Sequence, residues 1–107
     1  MLTNDFYNCL GLASRARKVT TGETLLQKIR SNKVYLVIIA SDASDNTKKK
    51  LSDKCTSYNI DYHIAGDIEH LSRAIGKHNR VAVGILDTGF AKLLKQKIGG
   101  WMYGKTQ

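Results

Sequence analysis

A chain of 107 residues and 11.9 kDa holds one domain and leaves no room for two. With 42% hydrophobic and 24% charged residues it can bury a core, which excludes disorder along the whole length. No apolar run approaches the roughly 20 residues that span a bilayer. Lys and Arg number 17 against 9 Asp and Glu, a formal charge of +8 with a pI near 9.7, and that balance favours a polyanionic partner, nucleic acid before membrane.

Near the start, Asp5 and the lack of early Lys or Arg argue against a leader peptide. Cys9 and Cys55 are too few for a disulfide scaffold or a zinc cage, so a reduced, cytoplasmic protein is expected. Thr3 is placed to cap a first helix with Phe6, Leu10 and Ala13 on one face. A basic stretch follows, with room for a very short strand at Lys18 to Thr20. Thr20 and Glu23 form a Thr-x-x-Glu capping box that opens a second helix, apolar at Leu25, Leu26 and Ile29 and ending near Asn32. Val34 to Ala40 is a continuous apolar, largely β-branched run, as in a central strand covered on both faces.

Ser41 to Asn46 is rich in cap and turn residues and precedes a helix with Leu51, Cys55 and Tyr58 in register. Asp42 and Asp45 read as caps of that helix. Ile60, Tyr62 and Ile64 alternate with polar residues as a half-exposed strand does. Gly66 and Asp67 open a short helix with Leu71, Ala74 and Ile75 inward, and Gly76 stops it. Val81, Val83 and Ile85 make a last strand, and Thr88 is placed to cap a last helix with Ala91, Leu94 and Ile98. Alternating helices and strands imply a single α/β domain over residues 1–98, a three-layer α/β/α sandwich around a mixed sheet of about four strands. Residues 99–107 read as a flexible tail carrying Trp101.

Gly99 to Thr106 satisfies G-x-x-x-x-G-K-[ST] letter by letter, but a phosphate loop needs a strand before it and a helix after it, and this stretch follows a helix. His63, His70 and His78 lack metal-ligand spacing, and Cys9 and Cys55 fall on apolar helix faces. No catalytic elbow or dinucleotide fingerprint occurs. Neither a cofactor nor a metal is expected, and an enzyme is the least favoured class, behind a protein-interaction or assembly factor using the Trp101 tail. Lys48, Lys49 and Lys50 read as a solvated face. The informative place is the turn at Gly22. There a helix start would offer backbone amides, with Arg15, Arg17 and Lys18 before it and Lys28 one turn on. Glu23 has two readings, capping-box partner or acceptor for base N–H groups.

The run Leu10-Gly11-Leu12-Ala13-Ser14-Arg15-Ala16-Arg17-Lys18-Val19, then Thr21-Gly22-Glu23, resembles the bacterial YlxQ-type branch of the L-seven-Ae ribosomal protein family. So do Leu36 to Ser44 with Asn46-Thr47, Asp53-Lys54-Cys55, Ala74-Ile75-Gly76-Lys77 and Asp87-Thr88-Gly89-Phe90-Ala91, in the family's order over nearly all of residues 6–98. The resemblance implies a non-catalytic binder of kink-turn RNA, a helix–bulge–helix element closed by sheared G·A pairs. It places Gly22, Glu23 and Thr24 at the helix start that enters the groove, and Lys28, with Gln27 competing, at the family's helix lysine. It also places Ile64, Ala65 and Gly66 in a loop that packs on the extruded nucleotide. Arg15, Arg17, Lys18 and Arg73 are the expected accessory cations. Three departures stand out, the first a second helix one residue shorter, which sets Gln27 against Lys28. Gly22 and Thr24 replace the amide that many members carry beside the acid, and Ile60-Asp61 stands where members often have Ile-Pro. The expected partner is structured RNA, ribosomal or other cytoplasmic RNA, with the ribosome itself included, bound by a monomer that does not engage membrane.

Overall fold

The computed structural model describes residues 2–98; the tail with Trp101 and the Gly99 to Thr106 motif lies outside the described residues. Nine elements follow one another: α1 (Asn4–Arg15), β1 (Val19–Thr20), α2 (Gly22–Arg30), β2 (Leu36–Ile39), α3 (Asp45–Ser57), β3 (Tyr62–Ile64), α4 (Ile68–Ala74), β4 (Ala82–Ile85) and α5 (Thr88–Ile98). The expected α/β/α sandwich with a four-stranded mixed sheet is what forms, in the order β1-β4-β2-β3. β2 and β3 are parallel, whereas β4 runs antiparallel to both of its neighbours.

β2 and β4 are buried at every position, because helices cover both faces of these central strands. α1 packs against α4 and α5, while α2 lies on β1 and β4 and α3 on β2 and β3. Phe6, Leu10, Ile29, Leu36, Ile38, Ile39, Leu71, Ile85 and Leu94 form the fully buried centre. Gly84 sets the depth at which α2 seats. A Cβ there would stand 2.4 Å from Leu25 Cδ1 and 3.0 Å from Thr20 Cγ2, so any side chain at this position has to displace Leu25.

Local chemistry sets the helix ends. Thr3, Ser44 and Asp67 accept from the amides of Phe6, Thr47 and His70 as N-caps of α1, α3 and α4. Asp42 does not cap α3 as expected; its carboxylate crosses to the start of α4 and accepts from Ile68 N at 2.9 Å. Asp87, not Thr88, caps α5, accepting from Phe90 N at 2.9 Å. The C-terminal ends of α1, α2, α3 and α4 share one device, a residue with positive φ followed by an amide that reaches back to the last helical turn. Arg17, Asn32, Asn59 and Gly76 hold those positions. Lys18, Lys33, Ile60 and Lys77 make the closing bonds.

Candidate nucleic-acid interface

The start of α2 is built differently from the sequence expectation. Thr20 is not its cap: it is buried in β1, opposite Gly84, and its Oγ1 finds no partner. Thr21 is the N-cap, in extended conformation, and its side chain makes no capping bond. The Thr20–Glu23 capping box is therefore absent, because sheet pairing takes the threonine that would form it. Leu25 N donates to Thr21 O at 3.2 Å, closing the first turn. The amides of Gly22, Glu23 and Thr24 have no acceptor among the described residues. Gly22 turns into the helix at φ +63°, a conformation that glycine adopts without steric penalty.

Arg80 completes this corner. Its Nη1 lies 3.8 Å from where a Cβ on Gly22 would stand. Its backbone is pinned by the buried Ser72, whose Oγ accepts from Arg80 N at 2.8 Å and lies 3.4 Å from Arg80 O. Arg80 Nε is buried without a partner, as is Thr20 Oγ1, and these are the buried side-chain polar atoms left unsatisfied among the described residues. Both flank the same helix start. Unpaired amides beside a guanidinium present donors only, which suits the acceptor oxygens of phosphates and the acceptor edges of bases. Glu23 is exposed in their midst with no partner among the described residues, and its carboxylate supplies the acceptor. The sequence alone gives Arg80 no role at this site. What singles it out is entry into β4, the strand that pairs with β1, and no local pattern reveals that pairing.

Along α2, Glu23, Gln27 and Arg30 are exposed at i, i+4 and i+7 and share one line. Thr24 and the half-buried Lys28 share the next. Arg15, Arg17 and Lys18 are exposed but are not gathered at Gly22. Lys18 O accepts from Leu86 N at 2.7 Å, beyond the Val19–Ile85 pair, so β1 and its following turn separate them from the helix start by up to about 13 Å. Ile64, Ala65 and Gly66 leave the sheet at the same end as Gly22, since β1, β2 and β3 run in one direction. Three strand spacings, about 14 Å, lie between them. Gly66 is packed against α1 and the residues before it, where its Cβ would stand 3.0 Å from Tyr7 Oη and from Leu2 Cδ1, and its carbonyl accepts from Ser41 N and Oγ at 2.9 and 2.6 Å. Ile64 is 46% exposed. Arg73 projects from α4 and is ion-paired with Glu69.

The other titratable groups serve the fold. Asp67 holds His70 Nδ1 at 2.9 Å as well as the His70 amide, and these bonds keep its carboxyl below the usual range. Burial pushes the Cys55 thiol up to about 12 and raises Cys9 as well. No group of three or more potential metal ligands occurs among the described residues, and no described helix is long and apolar enough to cross a membrane.

Fold and site together define a basic α/β/α sandwich with an uncapped, donor-rich helix start. Residues 4–95 match the ribosomal protein L7Ae/L30e/S12e/Gadd45 family, and the chain belongs to it. It is 45% identical over 91 residues to the RNA-binding protein YlxQ of Bacillus subtilis strain 168, covering 84% of this chain and 91% of that one. The RNA-binding protein YlxQ of Enterococcus faecium is 44% identical over 94 residues, covering 87% and 90%. Among solved structures, a Bacillus halodurans C protein of unknown function superposes with a TM-score of 0.83 at 47% identity, over 87% of this chain and 95% of that one. The Giardia lamblia 15.5kD RNA binding protein shares the fold, with a TM-score of 0.71 at 21% identity over 88% and 82%.

Proposed function

We propose that this protein is a non-catalytic RNA-binding module that recognises kink-turn RNA through the start of α2. The observation that carries the reading is the convergence at one corner of an uncapped helix start, the Arg80 guanidinium and a free Glu23 carboxylate. The donors meet phosphates and acceptor edges, while Glu23 accepts from base N–H groups at the G·A pairs. Two curated relatives above 40% identity named as RNA-binding proteins support this class, and a charge of +8 supplies the long-range attraction. Gln27 and Lys28 lie one turn deeper along the groove. Ile64 to Gly66 occupy the far side of the same rim, so a nucleotide reaching them crosses over the ends of β4 and β2. Arg15, Arg17 and Lys18 add sequence-independent phosphate contacts, with Arg73 exchanging Glu69 for a phosphate.

The test compares a kink-turn duplex with the same duplex lacking its bulge, at physiological salt. The intact kink-turn is expected to bind at least ten times more tightly, and equal affinities would sink the proposal. Glu23→Gln sharpens the result. With no capping box to lose, its melting temperature stays unchanged while kink-turn selectivity falls by about 1–3 kcal/mol for one bidentate contact.

A further inference from the structure

The far end of α2 gathers a second basic surface, remote from the helix start. Two turns of the same build stand there side by side. At the end of α1, Arg17 takes φ +62° and Lys18 N donates back to Ala13 O at 2.9 Å. At the end of α2, Asn32 takes φ +57° and Lys33 N donates back to Lys28 O at 2.9 Å. The sheet register joins them. Lys18 O accepts from Leu86 N, and Tyr35 N donates to Ile85 O, so the two turns flank the exit of β4 with about 10 Å between their chains.

Arg17, Lys18, Arg30 and Lys33 are all exposed, none is ion-paired among the described residues, and Tyr35 beside them is 44% exposed. Two acids share this end, and both are engaged: Asp87 caps α5 and Asp61 pairs with Lys95. Complementing the negative ends of helix dipoles accounts for Arg15 and Arg30, but it does not call for an arginine in the left-handed region. The three other helix ends of this build use Asn or Gly there, residues that tolerate the conformation. At Arg17 the chain accepts strain to hold a cation, and strain of that kind marks function.

Resting on the RNA-binding reading above, we infer that this end of the molecule is a second RNA contact surface. A stem flanking the groove-bound element lies along the exposed Glu23–Gln27–Arg30 line. Its phosphates reach Arg17, Lys18, Arg30 and Lys33, and an unpaired base stacks on Tyr35.

The experiment uses kink-turn duplexes, and bulge-less controls, in which each flanking stem in turn is half a helical turn long, or a full turn long with an unpaired nucleotide at its end. Lengthening one of the two stems is expected to raise affinity about tenfold and to steepen the slope of log K against log salt by about 0.9 for each phosphate gained. Lys33→Gln combined with Tyr35→Leu removes that gain and leaves affinity for the short-stem kink-turn unchanged. Arg17→Gly lowers affinity for the long-stem RNA yet raises the melting temperature by about 4 °C, opposite signs that a merely structural role cannot give. A gain from stem length that survives the Lys33 and Tyr35 changes overturns the inference, as does an Arg17→Gly variant that melts lower. Loss of preference for the kink-turn over its control refutes the kink-turn reading alone, because the stem-length effect on the controls still reports this surface.

Discussion

Replacing Gly22 by alanine isolates the backbone conformation that aims α2. At φ +63° an L side chain places its Cβ too close to the following carbonyl, at a cost of about 1–2 kcal/mol. Crowding adds little, because the nearest atom to the new Cβ is Arg80 Nη1 at 3.8 Å, an ordinary contact. Alanine recovers about 0.4–1 kcal/mol by restricting the unfolded chain, which leaves a net loss near 1 kcal/mol. For a domain of this size that is a drop of about 4–8 °C in melting temperature. Gly22→Asn should lose less than half as much, since Asn32, Asn59 and Asn79 already adopt positive φ in this chain. Gly22→Val should lose most, being β-branched. Thermal melts followed by circular dichroism, with urea midpoints at unchanged m, rank the three variants. If alanine and valine are both as stable as the parent, Gly22 does not hold positive φ and the description of the helix start is wrong.

Gly84→Val forces a branched side chain under Leu25 and beside Thr20, and overpacking of this kind costs about 1–3 kcal/mol; the urea midpoint should fall, and RNA affinity should fall with it because α2 is lifted at its start. Asp67 titrates below its ordinary range through its bonds to His70, so its contribution is present above the unfolded value near 3.9 and is lost as pH falls through the lower folded value. Asp67→Asn should therefore flatten the acid limb of stability against pH, and an unchanged limb would contradict the cap. With its thiol raised to about 12 and its side chain buried, Cys55 should resist alkylation at pH 8 until urea unfolds the chain; rapid modification of the native protein would show that α3 opens locally.

Much of the architecture is legible locally. The Val34 to Ala40 run contains β2, buried on both faces, because β-branched residues without polar alternation suit only a covered strand. The ends of α1 and α4 follow from Thr3, Asp67 and Gly76, each acting within a few residues of itself. The exceptions are interactions that close across the chain. Thr20 and Thr21 are chemically alike, and a local pattern favours Thr20 as the cap. Pairing with Gly84 buries it instead and moves the cap one residue on. Asp42 sits in a stretch that reads as the start of α3, but its carboxylate is taken by Ile68. Arg80 reaches the site only because β4 inserts between β1 and β2.

The residue at position 22 joins these two kinds of information. In sequence it is a departure from what the family resemblance implies, a glycine where an amide beside the acid is expected. In the structure it is a backbone requirement, since a helix entered at positive φ admits glycine readily and asparagine with small penalty, and few other residues. Glycine keeps the turn and gives up the side chain. If this corner reads bases as proposed, what an amide would contribute comes from neighbours, and Glu23 and Arg80 flank the position. Gly22→Asn in a chain that also carries Arg80→Met is the decisive combination. If a side-chain amide and Arg80 supply the same contact, the asparagine restores kink-turn selectivity lost with the arginine. If selectivity stays lost, the amide does not replace the guanidinium and Arg80 makes a contact of its own; if Arg80→Met alone lowers affinity without lowering selectivity, Arg80 acts through charge on phosphates.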